Sequence, residues 1–356
     1  MLLVYTGLVI LVYMQFAAGE NYKKNRNICI IIGAFLFLIS AMKYIDPHTD
    51  LIGYAQLYKR LRVVWSYRDV YEQWVGGRLK DVLFYLVAEF FTRLGFSDQA
   101  WMAMISLFFG VAAAWFIYCN SAKPVLSLLL LMTLEYFRFT LTGLRQTTAM
   151  AVILMFSYQF ILDRKPIKFI LSVLVASLLH SSALLFLPAY WIASWKMGWR
   201  QLALVGGVGI VYWLFPNVFR WLLGKIAWTD SIASYVDRTV ALSWAGFIIQ
   251  ACILAFCFMF RNETNLTPYY KWRRIDALIN CMVVGLCLQM LATMIAEAFR
   301  MAYYYNLCVI AVVPNLVVEN RKKANHAMMY LLLAACLLVY MLRSRAYFDL
   351  KFFWQG

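Results

Sequence analysis

Apolar stretches of spanning length, or close to it, follow one another along most of this chain: Leu2–Ala18, Ile28–Met42, Ala100–Cys119, Val125–Leu141, Thr148–Leu162, Leu202–Pro216, Trp244–Phe260, Ala277–Ala296, Met301–Val318 and Ala327–Leu342. A hydrocarbon core about 30 Å thick is crossed by roughly 20 apolar residues in a helix, and lipid tolerates only structures that satisfy their own backbone polar groups. The pattern predicts an all-α, polytopic integral membrane protein of about 10–12 transmembrane or re-entrant helices. With 64% of its 356 residues hydrophobic and 14% charged, the chain lacks the polar surface of a soluble two-domain enzyme. No Gly/Ser-rich linker, low-complexity run or internal repeat divides it, so residues 1–356 read as a single helical domain.

Short basic loops define the expected inner side: Lys23–Arg26, Lys123, Arg164–Lys168, Lys196–Arg200, Arg261–Arg274 and Arg321–Lys323. The first apolar stretch, without a small-residue cleavage site, reads as a retained anchor. Simple crossings between the basic loops fail at two places. Asp81–Leu94 is short, carries Glu89 and Arg93, and reads as an interfacial or re-entrant segment. Phe169–Ser194 lies between two basic loops and is interrupted at Leu179-His180-Ser181-Ser182, which predicts a broken helical hairpin with His180 near its tip.

The net charge of +16 exceeds what orientation requires, and much of it lies in the outer loop 46–80. There Lys59, Arg60, Arg62, Arg68, Arg78 and Lys80 alternate with Tyr54, Tyr58, Trp65, Tyr67, Tyr71 and Trp74. Such a mixture suits an anionic, sugar-bearing ligand, and equally a headgroup-level helix with snorkelling cations. A second outer loop spans 217–243.

Charged groups at membrane depth are costly and mark sites. Arg145, in Gly143-Leu144-Arg145-Gln146, and Arg300, in Phe299-Arg300-Met301, both fall at outer helix ends and could together clamp a diphosphate; snorkelling for Arg145 and a pair with Glu297 for Arg300 are the structural alternatives. His180 could accept a proton or serve as a packing residue. In Asp46-Pro47-His48-Thr49-Asp50 a carboxylate could act as a base, the spacing could hold a divalent cation, or Asp50 could cap the following helix. The eight cysteines form neither CxxC pairs nor zinc spacings, and the sequons at Asn262 and Asn265 fall on the inner side. With no Walker, GxGxxG, HExxH or GxSxG motif, no cofactor or metal is expected, and no nucleic acid.

Four segments in order carry a resemblance: Asp46–Tyr54, Leu144-Arg145-Gln146, Ala176–Ala183 around His180, and Arg300-Met301-Ala302-Tyr303-Tyr304. They resemble the EpsG-like family of polytopic polysaccharide polymerases, related in role to the Wzy-type O-antigen and capsule polymerases. The resemblance implies a GT-C-like fold and a bacterial inner-membrane glycosyltransferase whose site faces the periplasm or exterior. Its donor and acceptor would be undecaprenyl-diphosphate-linked oligosaccharides, with membrane lipids and a chain-length regulator protein as further partners. It further implies that Arg145 and Arg300 bind the diphosphate and that His180, Asp50 or Asp46 is the base. Tyr54, Gln146, Tyr303 and Tyr304 would contact the substrate. A single-sugar transferase and a flippase for the same lipid-linked units remain the alternatives.

Overall fold

In a computed structural model, residues 2–18, 22–45, 49–214, 244–261, 269–293, 298–319, 331 and 352 are described. Among them the chain is helical throughout, with no strand beyond an isolated bridge between Lys43 and Phe352. The first half runs α1 (Leu2–Ala18), α2 (Tyr22–Ala41), α3 (Asp50–Val63), α4 (Tyr67–Val75), α5 (Val82–Arg93) and α6 (Asp98–Asn120). Next come α7 (Pro124–Thr133), α8 (Tyr136–Thr140), α9 (Leu144–Val152) and, through a π-helical turn at Ile153–Ser157, α10 (Tyr158–Leu162). The chain continues with α11 (Pro166–Leu179), a 3-10 turn at Ser181–Phe186, α12 (Ala189–Ile192) and α13 (Trp199–Leu214). The last elements are α14 (Ala245–Phe260), α15 (Tyr269–Leu291), α16 (Ala298–Asn306) and α17 (Val309–Glu319). Starts are locally encoded: Pro124 and Pro166 open α7 and α11, and Ser97 accepts from the Ala100 amide ahead of α6.

By length and composition, Asp98–Asn120 and Arg274–Leu291 can each cross a membrane. Several expected spans are shorter or broken. Val125–Leu141 divides into α7 and α8 because Glu135 takes a left-handed backbone (φ 63°), a fault that an unbroken apolar run hides. Met301–Val318 divides into α16 and α17 at Leu307–Cys308. The described part of the loop 46–80 contains two helices, α3 and α4. In α3, Leu51, Ala55, Tyr58 and Leu61 are buried while Lys59, Arg60 and Arg62 are exposed. Tyr58, expected among the outer aromatics, belongs to the core, stacked on Trp101 at 5.0 Å. Asp46, His48, Glu297, the loop 217–243, the sequons, Arg321–Lys323 and nearly all of Ala327–Leu342 lie outside the described residues.

Two polar groups mark opposite ends of the bundle. At one end Arg274 reaches both Asp163 (3.3 Å) and Asn120 (3.4 Å), Arg261 pairs with Asp276 (2.7 Å), and Asn315 bonds the backbone at Asn120 and Ala122. Asn315 apart, these residues lie in or next to three of the basic loops, at Lys123, Arg164–Lys168 and Arg261–Arg274. At the other end Gln99 donates to the Ala41 carbonyl (2.6 Å) and Lys43 to that of Leu141 (2.6 Å). Burial pushes the Lys43 ammonium down to about 7.

The segment after α11 is the expected hairpin. His180 is extended (φ −156°, ψ 114°) and stops the helix. The chain then turns back, so that Tyr190 packs on Phe169 (5.4 Å between rings) and the Ala193 carbonyl accepts from Arg164 (3.4 Å).

Helices α2 and α6 pack closely through small residues, and Ser40 and Ser106 bond across them at 2.9 Å. A Cβ on Gly110 would stand 2.8 Å from the Gly33 carbonyl oxygen, and backbone cannot step aside as a side-chain tip can. Gly110→Ala is therefore expected to lower stability by about 1–3 kcal/mol. A thermal melt in detergent checks this, and a transition equal to that of the parent protein would contradict the close packing.

Candidate functional site

The site is built around a carboxylate that sequence reading used only as a segment boundary. Helix α4 ends at Gly76, Gly77 takes a left-handed turn (φ 70°), and Leu79 is drawn into the core, which delivers Asp81 to the start of α5. An aspartate at that position ordinarily caps its own helix. Asp81 does not. Its carboxylate, 2% exposed, is spent on distant partners instead: Oδ2 accepts from Arg145 Nη1 at 3.0 Å and pairs with His180 Nδ1 at 3.2 Å, while Oδ1 accepts from the Ser181 amide at 2.9 Å.

Burial alone would raise this carboxyl's pKa. The hydrogen bond and charge of His180, the charge of Arg145 and the Ser181 amide outweigh burial and hold it below the usual carboxylate value. Asp81 is thus ionised at neutral pH. With that charge facing Nδ1, the neutral imidazole keeps its proton on Nδ1, and Nε2 is the nitrogen that can take another. The broken hairpin explains how His180 arrives here: an unbroken α11 would carry residue 180 onward around the helix, and the extended residue places it against Asp81 with the Ser181 amide alongside.

Arg145 and His180 both retain access, with side chains 38% and 25% exposed. The Arg145 guanidinium lies 6.0 Å from the centre of the Tyr54 ring, and Tyr54 meets Phe84 edge-on at 5.9 Å. Helix α3 therefore closes one side of the group. Asp50 is exposed in the first turn of α3, one turn before Tyr54; Asp46 lies outside the described residues.

Arg300 reaches the same neighbourhood through its backbone, where its carbonyl accepts from Gln146 Nε2 at 2.5 Å. Its guanidinium is half-buried between Phe139 (5.6 Å) and Phe299 (5.9 Å). Gln146 and Tyr304, expected at the substrate, have almost no surface to offer it. Gln146 is buried and ties α9 to α16, and Tyr304 is fully buried with its hydroxyl on Ser182 Oγ at 3.1 Å. Both hold the site's walls together. Tyr303 is half-buried in an aromatic group with Tyr136, Phe139 and Phe299.

Segments far apart in sequence thus converge: α3, the start of α5, the start of α9, the hairpin tip and α16. The family model described as the EpsG family matches residues 26–354. The chain belongs to the EpsG family. Neither a curated protein nor a solved structure matches it. Family membership and two apolar helices of spanning length make this a membrane protein of polysaccharide biosynthesis, in a family associated with glycosyltransferase-like polymerases. Within this EpsG-family chain, a permanent cation, an imidazole and an ionised carboxylate share one oxygen, an arrangement suited to binding an anion beside a group that moves a proton.

Proposed function

We propose that this EpsG-family chain is a multi-pass inner-membrane glycosyltransferase that joins undecaprenyl-diphosphate-linked oligosaccharide units on the outer face, extending an O-antigen, capsule or exopolysaccharide. In the reaction, a hydroxyl of the incoming lipid-linked unit attacks the anomeric carbon of the growing chain. The new C–O bond forms as the bond to the lipid diphosphate breaks. The hydroxyl proton passes to His180 Nε2, and the electron pair leaves with the diphosphate.

The observation that carries this reading is the shared oxygen: Asp81 Oδ2 holds Arg145 at 3.0 Å and His180 at 3.2 Å. Asp81 fixes the imidazole tautomer and faces the positive charge that the imidazole gains. Arg145, and Arg300 as a second cation in this reading, would face the negative charge that grows on the leaving diphosphate, a form of electrostatic stabilisation worth several kcal/mol in a water-poor site. His180 takes precedence over Asp50 as base because an exposed carboxylate at a helix start lacks an orienting partner of this kind.

The test is incubation of the purified chain with lipid-linked repeat units, followed by separation of products by size. A ladder of products supports polymerisation. One added unit would make the chain a single-transfer enzyme, and passage of the lipid-linked unit across liposomes without extension would make it a transporter.

A further inference from the structure

An apolar groove of about 680 Å³ runs along the bundle between α5, α6, α9–α10 and α11, with one end lined by near neighbours in sequence of the carboxylate site. Leu83, Thr148 and Leu179 line its head, two residues from Asp81, three from Arg145 and one from His180 respectively. Lys168, in the first turn of α11, stands at its far end. Along α11 that distance is about 17 Å, more than half the thickness of a hydrocarbon core.

The wall is apolar even where the residues are not. Thr148 Oγ1 turns to the Arg145 carbonyl at 2.7 Å and Ser172 Oγ to that of Phe169 at 2.7 Å, so neither hydroxyl needs a partner from the groove. The groove is open along its length, where Val87, Met104, Phe156, Leu171 and Val175 are each more than a third exposed. A ligand matching this surface has an anionic head for the Arg145 and His180 end and a long hydrocarbon tail that enters sideways. Charge at one end and a continuous apolar trough behind it favour such an amphiphile over a protein helix.

We infer that the groove holds the isoprenoid tail of the substrate whose diphosphate meets Arg145. This deepens the transferase reading and rests on it. Seating the tail fixes the depth and direction of the diphosphate, so the anomeric carbon is presented to His180 rather than drifting in the membrane plane.

Binding of two diphosphates to the intact chain in lipid nanodiscs tests the inference. One probe is a 55-carbon polyprenyl diphosphate and the other is geranyl diphosphate, too short to reach the far half. Leu171→Trp, which fills that half, is expected to weaken the long probe at least tenfold and leave the short one unchanged. Leu171→Ser, which removes apolar wall without filling it, weakens the long probe in the same direction. Leu174→Trp, exposed on the same helix outside the groove, changes neither, and Arg145→Ala weakens both.

Unchanged long-probe affinity in the Leu171 variants, an equal loss in Leu174→Trp, or displacement of the long probe by ordinary phospholipid would overturn the inference. Binding as expected without any joining of units would leave the groove standing and remove the polymerase reading. A normal product ladder with tail-independent binding would remove the groove alone.

Discussion

Asp81→Asn is expected to cut transfer by on the order of 10²–10⁴-fold, the range associated with losing a positioned general base. Asparagine nearly conserves shape and keeps a carbonyl oxygen for the Ser181 amide, so the hairpin tip should stay folded. What disappears is the charge that orients His180 Nδ1 and balances the positive charge that His180 gains. A structural role would disturb substrate binding along with the rate. The proposed role lowers kcat and leaves KM for the lipid-linked unit nearly unchanged, because Arg145 still meets the diphosphate while His180 is no longer held in place.

The stability side of the same residue has a definite sign. Its folded pKa is lowered, so the stabilisation is present above the unfolded carboxylate value of about 3.9 and is lost as pH falls through the lower folded value. A thermal melt of the parent protein should therefore be insensitive to this group between pH 5 and 8, an interval on the order of that in which most carboxylates are ionised. Full activity of Asp81→Asn would remove Asp81 from the mechanism.

Arg145 should be the second position of large effect. Arg145→Ala is expected to lower the rate by on the order of 10²–10³-fold, comparable with removing one donor aimed at developing charge. Arg145→Lys separates charge from geometry. A planar guanidinium can keep one N–H on Asp81 and turn others to a diphosphate, whereas an ammonium held by the carboxylate presents a single point charge. We expect Arg145→Lys to retain folding and lose at least about tenfold in rate, as a bidentate contact is given up. Rates equal to the parent protein in Arg145→Lys would mean that only net charge matters there.

The sequence made the hairpin legible because two independent signals agreed: a polar break at His180 and basic loops on both flanks. Arg145, Arg300 and His180 stood out because charged or imidazole groups inside apolar runs are expensive. Asp81 did not stand out, since an acidic residue at the edge of an apolar segment looks like an ordinary helix cap, and its partners lie 64 and 99 residues away. The same limit applies to Gln146 and Tyr304, whose motif positions suggest ligand contact while tertiary packing commits them to α16 and the hairpin. The left-handed turn at Glu135 is equally invisible, because uniformly apolar neighbours have no period that a break could interrupt.

The most direct measurement counts lipid diphosphate released per repeat unit joined, using the purified chain and defined lipid-linked units. One diphosphate freed for each new linkage is predicted, with both quantities falling together in Arg145→Ala, His180→Ala and Asp81→Asn. Linkages that continue at the parent rate in all three variants would contradict a site centred on the Asp81 carboxylate.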